Sequence, residues 1–122
     1  MITIKGMEGG IDLSISRSST IGQYKNQNGT RKVFHPKDYA CSGKDIEWND
    51  IEEWQRFALQ ALNGEGPLIK ALQWNAGIYF FYAGLSSDLQ AGINKAKETI
   101  NSGCALKTLE RLIHWRQDNI YS

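Results

Sequence analysis

Apolar and polar positions alternate along the first third of the chain. Ile2 and Ile4, then Ile11, Leu13 and Ile15, then Ile21 and Val33 recur on a period of two, the signature of strands with one buried face. The pattern predicts strands near 2–5, 18–25 and 30–35. Gly9-Gly10 breaks the first run. Asn28-Gly29 stands between two apolar-alternating stretches and predicts the turn of a hairpin, because both residues tolerate positive φ. Residues 36–48, opened by Pro36 and containing Ser42-Gly43, read as a connecting loop.

From residue 49 the period becomes helical. Asp50 with Glu53, or Asn49 with Glu52, supplies an N-cap and a capping carboxylate. Ile51, Trp54, Ala58 and Leu62 then recur at helical spacing, and Gly64 ends the helix. Pro67 predicts the first turn of a second helix running to Gly84. Its second half, with Trp74, Ala76, Ile78, Tyr79, Phe80, Phe81 and Tyr82, is apolar all round, which predicts a buried helix. Ser87-x-x-Gln90 predicts a capping box for a third helix through about Asn101, ended by Gly103. A fourth runs from about Ala105 to Arg116, with Leu106, Leu109, Leu112 and Ile113 expected inside. Strands first and helices after give an α+β fold for the chain taken alone, one domain over 1–122: strands in 1–35, a loop in 36–48 and helices in 49–122.

The 122 residues suffice for one core and not two. A central aromatic helix wants apolar neighbours on every side, and three amphipathic helices with a small sheet leave part of it uncovered. At roughly 25 cal/mol per Å², several hundred exposed Å² would cost many kcal/mol. A second surface is the simplest cover, either another copy or a different chain. Trp74, Tyr79, Phe80 and Phe81 are the residues expected there.

Apolar residues at 41% and aromatic residues at 11% exclude a disordered chain. The longest apolar run, Ala76 to Leu85, is half of the roughly 20 residues a bilayer span requires, so no membrane partner is expected. Cys41 and Cys104 follow no metal spacing and read as free thiols in a reducing cytoplasm, with no secretory signal at the N-terminus. Cys104 follows Gly103 at a helix start, where a thiol's pKa can fall, although a small buried hydrophobe is the simpler role. His35 and His114 lie far apart and near no nucleophile. Asn75, on an apolar helix, needs a hydrogen-bond partner, most simply a neighbouring backbone group.

The net charge of +1 conceals an asymmetry: residues 1–44 carry a net +4 and residues 45–122 a net −3. Arg17, Lys25, Arg31 and Lys32 lie on or beside the expected hairpin, with Tyr24 and Phe34 near them. A basic ribbon with aromatics can track phosphates, so nucleic acid is one expected class of partner. The acidic residues Asp45, Glu47, Asp50, Glu52 and Glu53 are an alternative match for that basic face, within the chain or across a dimer.

The stretch from Gly66 to Ile113 resembles the C-terminal helical part of the anthranilate phosphoribosyltransferase family. There a long buried helix carries an Asn-Ala pair and ends in Ala-Gly, matched here by Asn75-Ala76 and Ala83-Gly84. A helix of Ser-Leu-x-x-Gly type comes after it, matched by Ser87 to Gly92. Next comes a Ser-Gly-x-Ala-Leu-x-x-Leu-Glu segment, matched by Ser102 to Glu110. The opening ITIKGMEGGIDLSIS resembles the family strand with its Gly-x-Asp element, and VFHPKDYA, with Pro36, Asp38 and Tyr39, resembles its extended segment. The GGIDLSISRSS wording is nearer to the family's divergent branch, whose members are suspected of binding nucleic acid.

The resemblance implies the C-terminal part of a larger α/β phosphoribosyltransferase fold, about the last third of such an enzyme. The pyrophosphate cradle of the family, a Gly-Thr-Gly-Gly-Asp turn and a Lys-His-Gly-Asn loop, has no counterpart between Met1 and Ser122. The family's metal-binding Asp-Glu pair is matched only by Asp12, next to Leu13 in this chain. Asp12 is thus the one candidate magnesium ligand, and Mg²⁺ is expected only with a partner that supplies phosphate-binding loops. A turn-capping role for Asp12 is the simpler one. The residues and the resemblance together support three functions: a non-catalytic relative acting through self-association or a protein partner, one piece of a split phosphoribosyltransferase whose partner carries the N-terminal portion, or a nucleic-acid-binding module.

Overall fold

The computed structural model describes residues 2–5, 13–25, 28–47 and 49–120. Three antiparallel strands, β1 (Ile2–Lys5), β2 (Ser19–Lys25) and β3 (Asn28–Phe34), form a sheet in the order β1-β2-β3. A 3-10 turn, Pro36–Tyr39, opens the connection to four helices: α1 (Ile51–Leu62), α2 (Ile69–Tyr82), α3 (Leu89–Asn101) and α4 (Cys104–Ile120). The α+β architecture is the one the sequence predicts.

The hairpin turn is not where Asn28-Gly29 suggests. Lys25 pairs with Asn28 and Ile21 with Lys32, so the connection is residues 26–27 and Asn28-Gly29 open β3. A turn at Asn28-Gly29 would have set Ile21 opposite Pro36, and a proline has no N–H to give the central strand. The observed register keeps Pro36 out of the ladder. Ser19 and Ile21 face the core, whereas Val33 lies on the opposite face, exposed.

α2 is the centre of the molecule. One side meets the inner sheet face and the extended segment 13–17, and the other meets α3. The core joins Leu13, Ile15, Ile21 and Cys41 to Trp74 and Ile78 of α2 and Leu89 and Ile93 of α3. Trp74 is fully buried, its ring 5.7 Å from that of Tyr39, and Phe34 meets Tyr82 edge to face at 6.4 Å. The α2–α3 contact is close because two glycines meet there. A Cβ on Gly92 would run into the Gly77 carbonyl oxygen, and one on Gly77 would lie 2.8 Å from Cα of Ile93.

Helix ends obey capping chemistry, with two shifts from expectation. Asp50 caps α1 by accepting from the Glu53 N–H at 2.7 Å, while Glu53 accepts from the side chain of Asn49. α3 is capped by Asp88 and not Ser87: Asp88 accepts from the Ala91 N–H at 2.7 Å. That start places Leu89, Gly92, Ile93, Ala96 and Ile100 on the buried face. α2 begins at Ile69, so Pro67 precedes the N-cap Leu68 and does not occupy the first turn. It ends in a Schellman motif, with Leu85 N–H on the Phe80 carbonyl and Gly84 N–H on that of Phe81, and Gly84 at φ +78°.

α4 departs most from the pattern. It runs four residues past Arg116, and Leu112 and Ile113, expected inside, are exposed. Only its first turns, at Leu106 and Leu109, are half-buried.

Candidate functional site

The resemblance directs attention to the segment just after Asp12. Asp12, with Gly9-Gly10 and Ile11, lies outside the described residues. Residues Leu13 to Arg17 form a strap fastened to α2 on one side and to residues 43–45 on the other. Leu13 N–H donates to Asn75 Oδ1 at 2.8 Å, and Asn75 Nδ2 donates back to the Leu13 carbonyl at 3.0 Å. The side-chain amide thus stands in for a neighbouring strand. Its second N–H goes to the Ala71 carbonyl at 2.9 Å, so the amide is fully engaged inside an apolar helix.

On the far side, Ser14 and Ser16 both donate their hydroxyls to Asp45 Oδ2, at 2.6 and 2.8 Å, and the Ile15 N–H reaches Oδ1 at 3.2 Å. Gly43 N–H returns a bond to the Ile15 carbonyl at 3.1 Å. Partial burial pushes the Asp45 carboxyl up, but the two serine hydroxyls, the Ile15 amide and the positive charge of Arg17 outweigh it. The net pKa is lowered. A carboxylate committed to three donors and held ionised is a fastening and a poor proton acceptor. The period-two pattern of Leu13 and Ile15 therefore marks an extended strap held by side chains, with no strand of its own.

Leu13 itself is 3% exposed and belongs to the buried core cluster that includes Trp74. The position after Asp12, where the resemblance requires a glutamate, therefore aims inward to apolar neighbours and presents no second carboxylate. The residues present do not fit a two-carboxylate magnesium site. Among the described residues, no three of His, Cys, Asp and Glu come together.

The other chemical candidates are also placed. Cys41 is buried, and burial pushes its thiol up despite the charges of Lys97 and Lys70, which removes it as a nucleophile. Cys104 is the first residue of α4 and exposed, which corrects its expected burial; both thiols are free. His35, preceding the 3-10 turn, and His114 are exposed.

Arg31 and Lys32 do not share one face of the hairpin. Arg31 pairs with Gly22 and Lys32 with Ile21, so they project to opposite faces of β3. Arg17 sits in the strap beside Asp45, and Lys25 ends β2. Phe34 packs on Tyr82 and is not free to stack on a base. Of the aromatic residues expected at a partner surface, Trp74 is inside the chain's own core, Phe80 and Phe81 are half-buried, and Tyr79 is 46% exposed. Ile51, Trp54, Leu59, Leu112, Ile113 and Trp115, on α1 and α4, are exposed apolar residues.

No protein-family model matches the chain. It is similar to the anthranilate phosphoribosyltransferase of Paracidovorax citrulli, 27% identical over 116 residues that cover 92% of this chain and 34% of that enzyme. The Bacillus pumilus enzyme of the same name is 30% identical over 128 residues, covering 100% of this chain and 38% of its own. Among solved structures, anthranilate phosphoribosyltransferase from Saccharomyces cerevisiae, in complex with 4-fluoroanthranilate, superposes with a TM-score of 0.77 at 19% identity. That match covers 93% of this chain and 34% of the yeast protein. The fold is that of the C-terminal part of anthranilate phosphoribosyltransferase. This chain spans about a third of the length of the curated anthranilate phosphoribosyltransferases it matches. These relatives all carry the transferase name, and the expected nearness to a nucleic-acid-binding branch gains no support from them.

Proposed function

We propose that this chain is a non-catalytic relative of the C-terminal part of anthranilate phosphoribosyltransferase that acts by associating with itself or with another polypeptide. The observation that carries the reading is the burial of Leu13. In place of a metal-binding carboxylate, the chain uses this position to close its own core. The remaining groups agree. Asp45 is committed to the strap, Asn75 is fully hydrogen-bonded, and Cys41 is sealed. Apolar side chains on α1 and α4 meanwhile face solvent in a chain one third the length of its relatives.

On this reading the chain by itself takes no magnesium, and Mg²⁺ enters only beside phosphate-binding loops on a partner. We place the protein in the cytoplasm, where both thiols stay reduced; no described helix is long and apolar enough to cross a membrane. The test is turnover of anthranilate with phosphoribosyl pyrophosphate and Mg²⁺ by the isolated chain. No phosphoribosyl anthranilate is expected, and product that scales with protein concentration would overturn the reading.

A second reading, one piece of a split phosphoribosyltransferase, is favoured by the close superposition of this third of the fold on a whole enzyme. It predicts that mixing the chain with a polypeptide carrying the remaining portion yields activity that neither has alone.

A further inference from the structure

The association reading leaves open which surface is used and what covers it, and α4 answers both. Residues 110 to 119 of α4 are all exposed, whereas Leu106 and Leu109 in its first turns are half-buried. Its second half therefore stands clear of the rest of the fold. Within it, Leu112 is 58% and Trp115 is 57% exposed, with Ile113 also exposed between them. Leu112 and Trp115, three apart, share one stripe of the helix. Arg111 and Asp118, seven apart, share a second stripe on one flank of the first.

We infer that this half of α4 pairs with α4 of a second copy of the chain, antiparallel, about a two-fold axis midway between Leu112 and Trp115. The pattern is self-complementary only in that arrangement. The axis sets Leu112 of each copy against Trp115 of the other, so two indoles cover two leucines. It also keeps each flank on its own side. Arg111 of one copy then lies beside Asp118 of the other, offset by about 3 Å along the axis at 1.5 Å per residue, and the ion pair occurs twice. A parallel pairing would put the Arg111/Asp118 flanks of the two copies on opposite edges of the seam, where the ion pairs cannot form. Such isologous contacts are the common way for one patch to close a dimer. The inference rests on the proposed association, and it names the occupant.

The test is mass in solution, by light scattering on the full chain over a concentration series. The expected mass approaches twice 13.8 kDa as concentration rises. Trp115→Glu should return the monomer mass with helical circular dichroism unchanged. Arg111→Asp should weaken the dimer, and adding Asp118→Arg to it should restore the dimer, a rescue that loss of folding cannot imitate. A wild-type chain that stays monomeric throughout overturns the inference, as does a charge-swapped double variant that fails to recover. A dimer that survives Trp115→Glu but is lost in Tyr79→Glu overturns the α4 assignment and leaves the association reading standing. Turnover by the isolated chain would overturn the association reading, whatever its mass.

Discussion

Asn75 shows how one residue carries both local and long-range information. An amide in an apolar helix must find partners, which the sequence makes plain; that the partner is the backbone of Leu13, 62 residues away, requires the fold. Replacing it with alanine removes three hydrogen bonds and leaves the Leu13 amide and carbonyl without partners. Asn75→Ala should lower unfolding free energy by about 2 kcal/mol in a urea titration, and an unmoved midpoint would show that the strap contributes nothing.

Asp45 makes the complementary case. Its folded-state pKa is depressed, so its bonds to Ser14, Ser16 and Ile15 stabilise the fold above the carboxyl's ordinary range and are lost as pH falls through the folded value. Stability of the wild type should therefore drop more steeply on acidification than that of Asp45→Asn. Parallel curves would contradict the assignment. Nothing in the sequence singles out Asp45 from its acidic neighbours, because its donors lie about thirty residues away in sequence.

At the scale of elements, local signals were legible wherever capping chemistry decides them. Asp50, Gly64, Gly84 and Gly103 bound their helices as the sequence predicts. The exceptions have physical causes. The Asn28-Gly29 signal yields to a register that spares the sheet a proline, and Asp88 displaces Ser87 because either side chain caps equally well and packing chooses between them. The α2–α3 contact through Gly77 and Gly92 could not be read, since no single-helix pattern reports the approach of another helix. It gives an ordering. Gly92→Ala pushes a methyl into the Gly77 carbonyl and should cost about 1–3 kcal/mol. Gly84→Ala meets open space and suffers only the left-handed backbone, about 1 kcal/mol. Thermal melts of the two variants check this, and the reverse order would contradict the helix contact.

At the scale of the whole molecule, the apolar excess of the sequence is present but distributed differently from the expectation. α2 is largely covered by the chain itself, Trp74 completely, and most of the exposed large apolar residues lie on α1 and α4, with Val33, Tyr79 and Leu85 besides. The reason is the strap, whose Leu13 and Ile15 supply a wall for α2 that belongs to no strand or helix. The same strap buries the position where a metal-binding carboxylate would stand. On the proposed reading, core closure and the loss of sugar-phosphate chemistry are two consequences of one local arrangement.

On the proposed reading the chain keeps a transferase framework without its grip on a sugar phosphate. Titration calorimetry of the isolated chain with phosphoribosyl pyrophosphate and Mg²⁺ measures that grip itself. Only heats of dilution are expected; a saturable isotherm at one site per chain would overturn the reading.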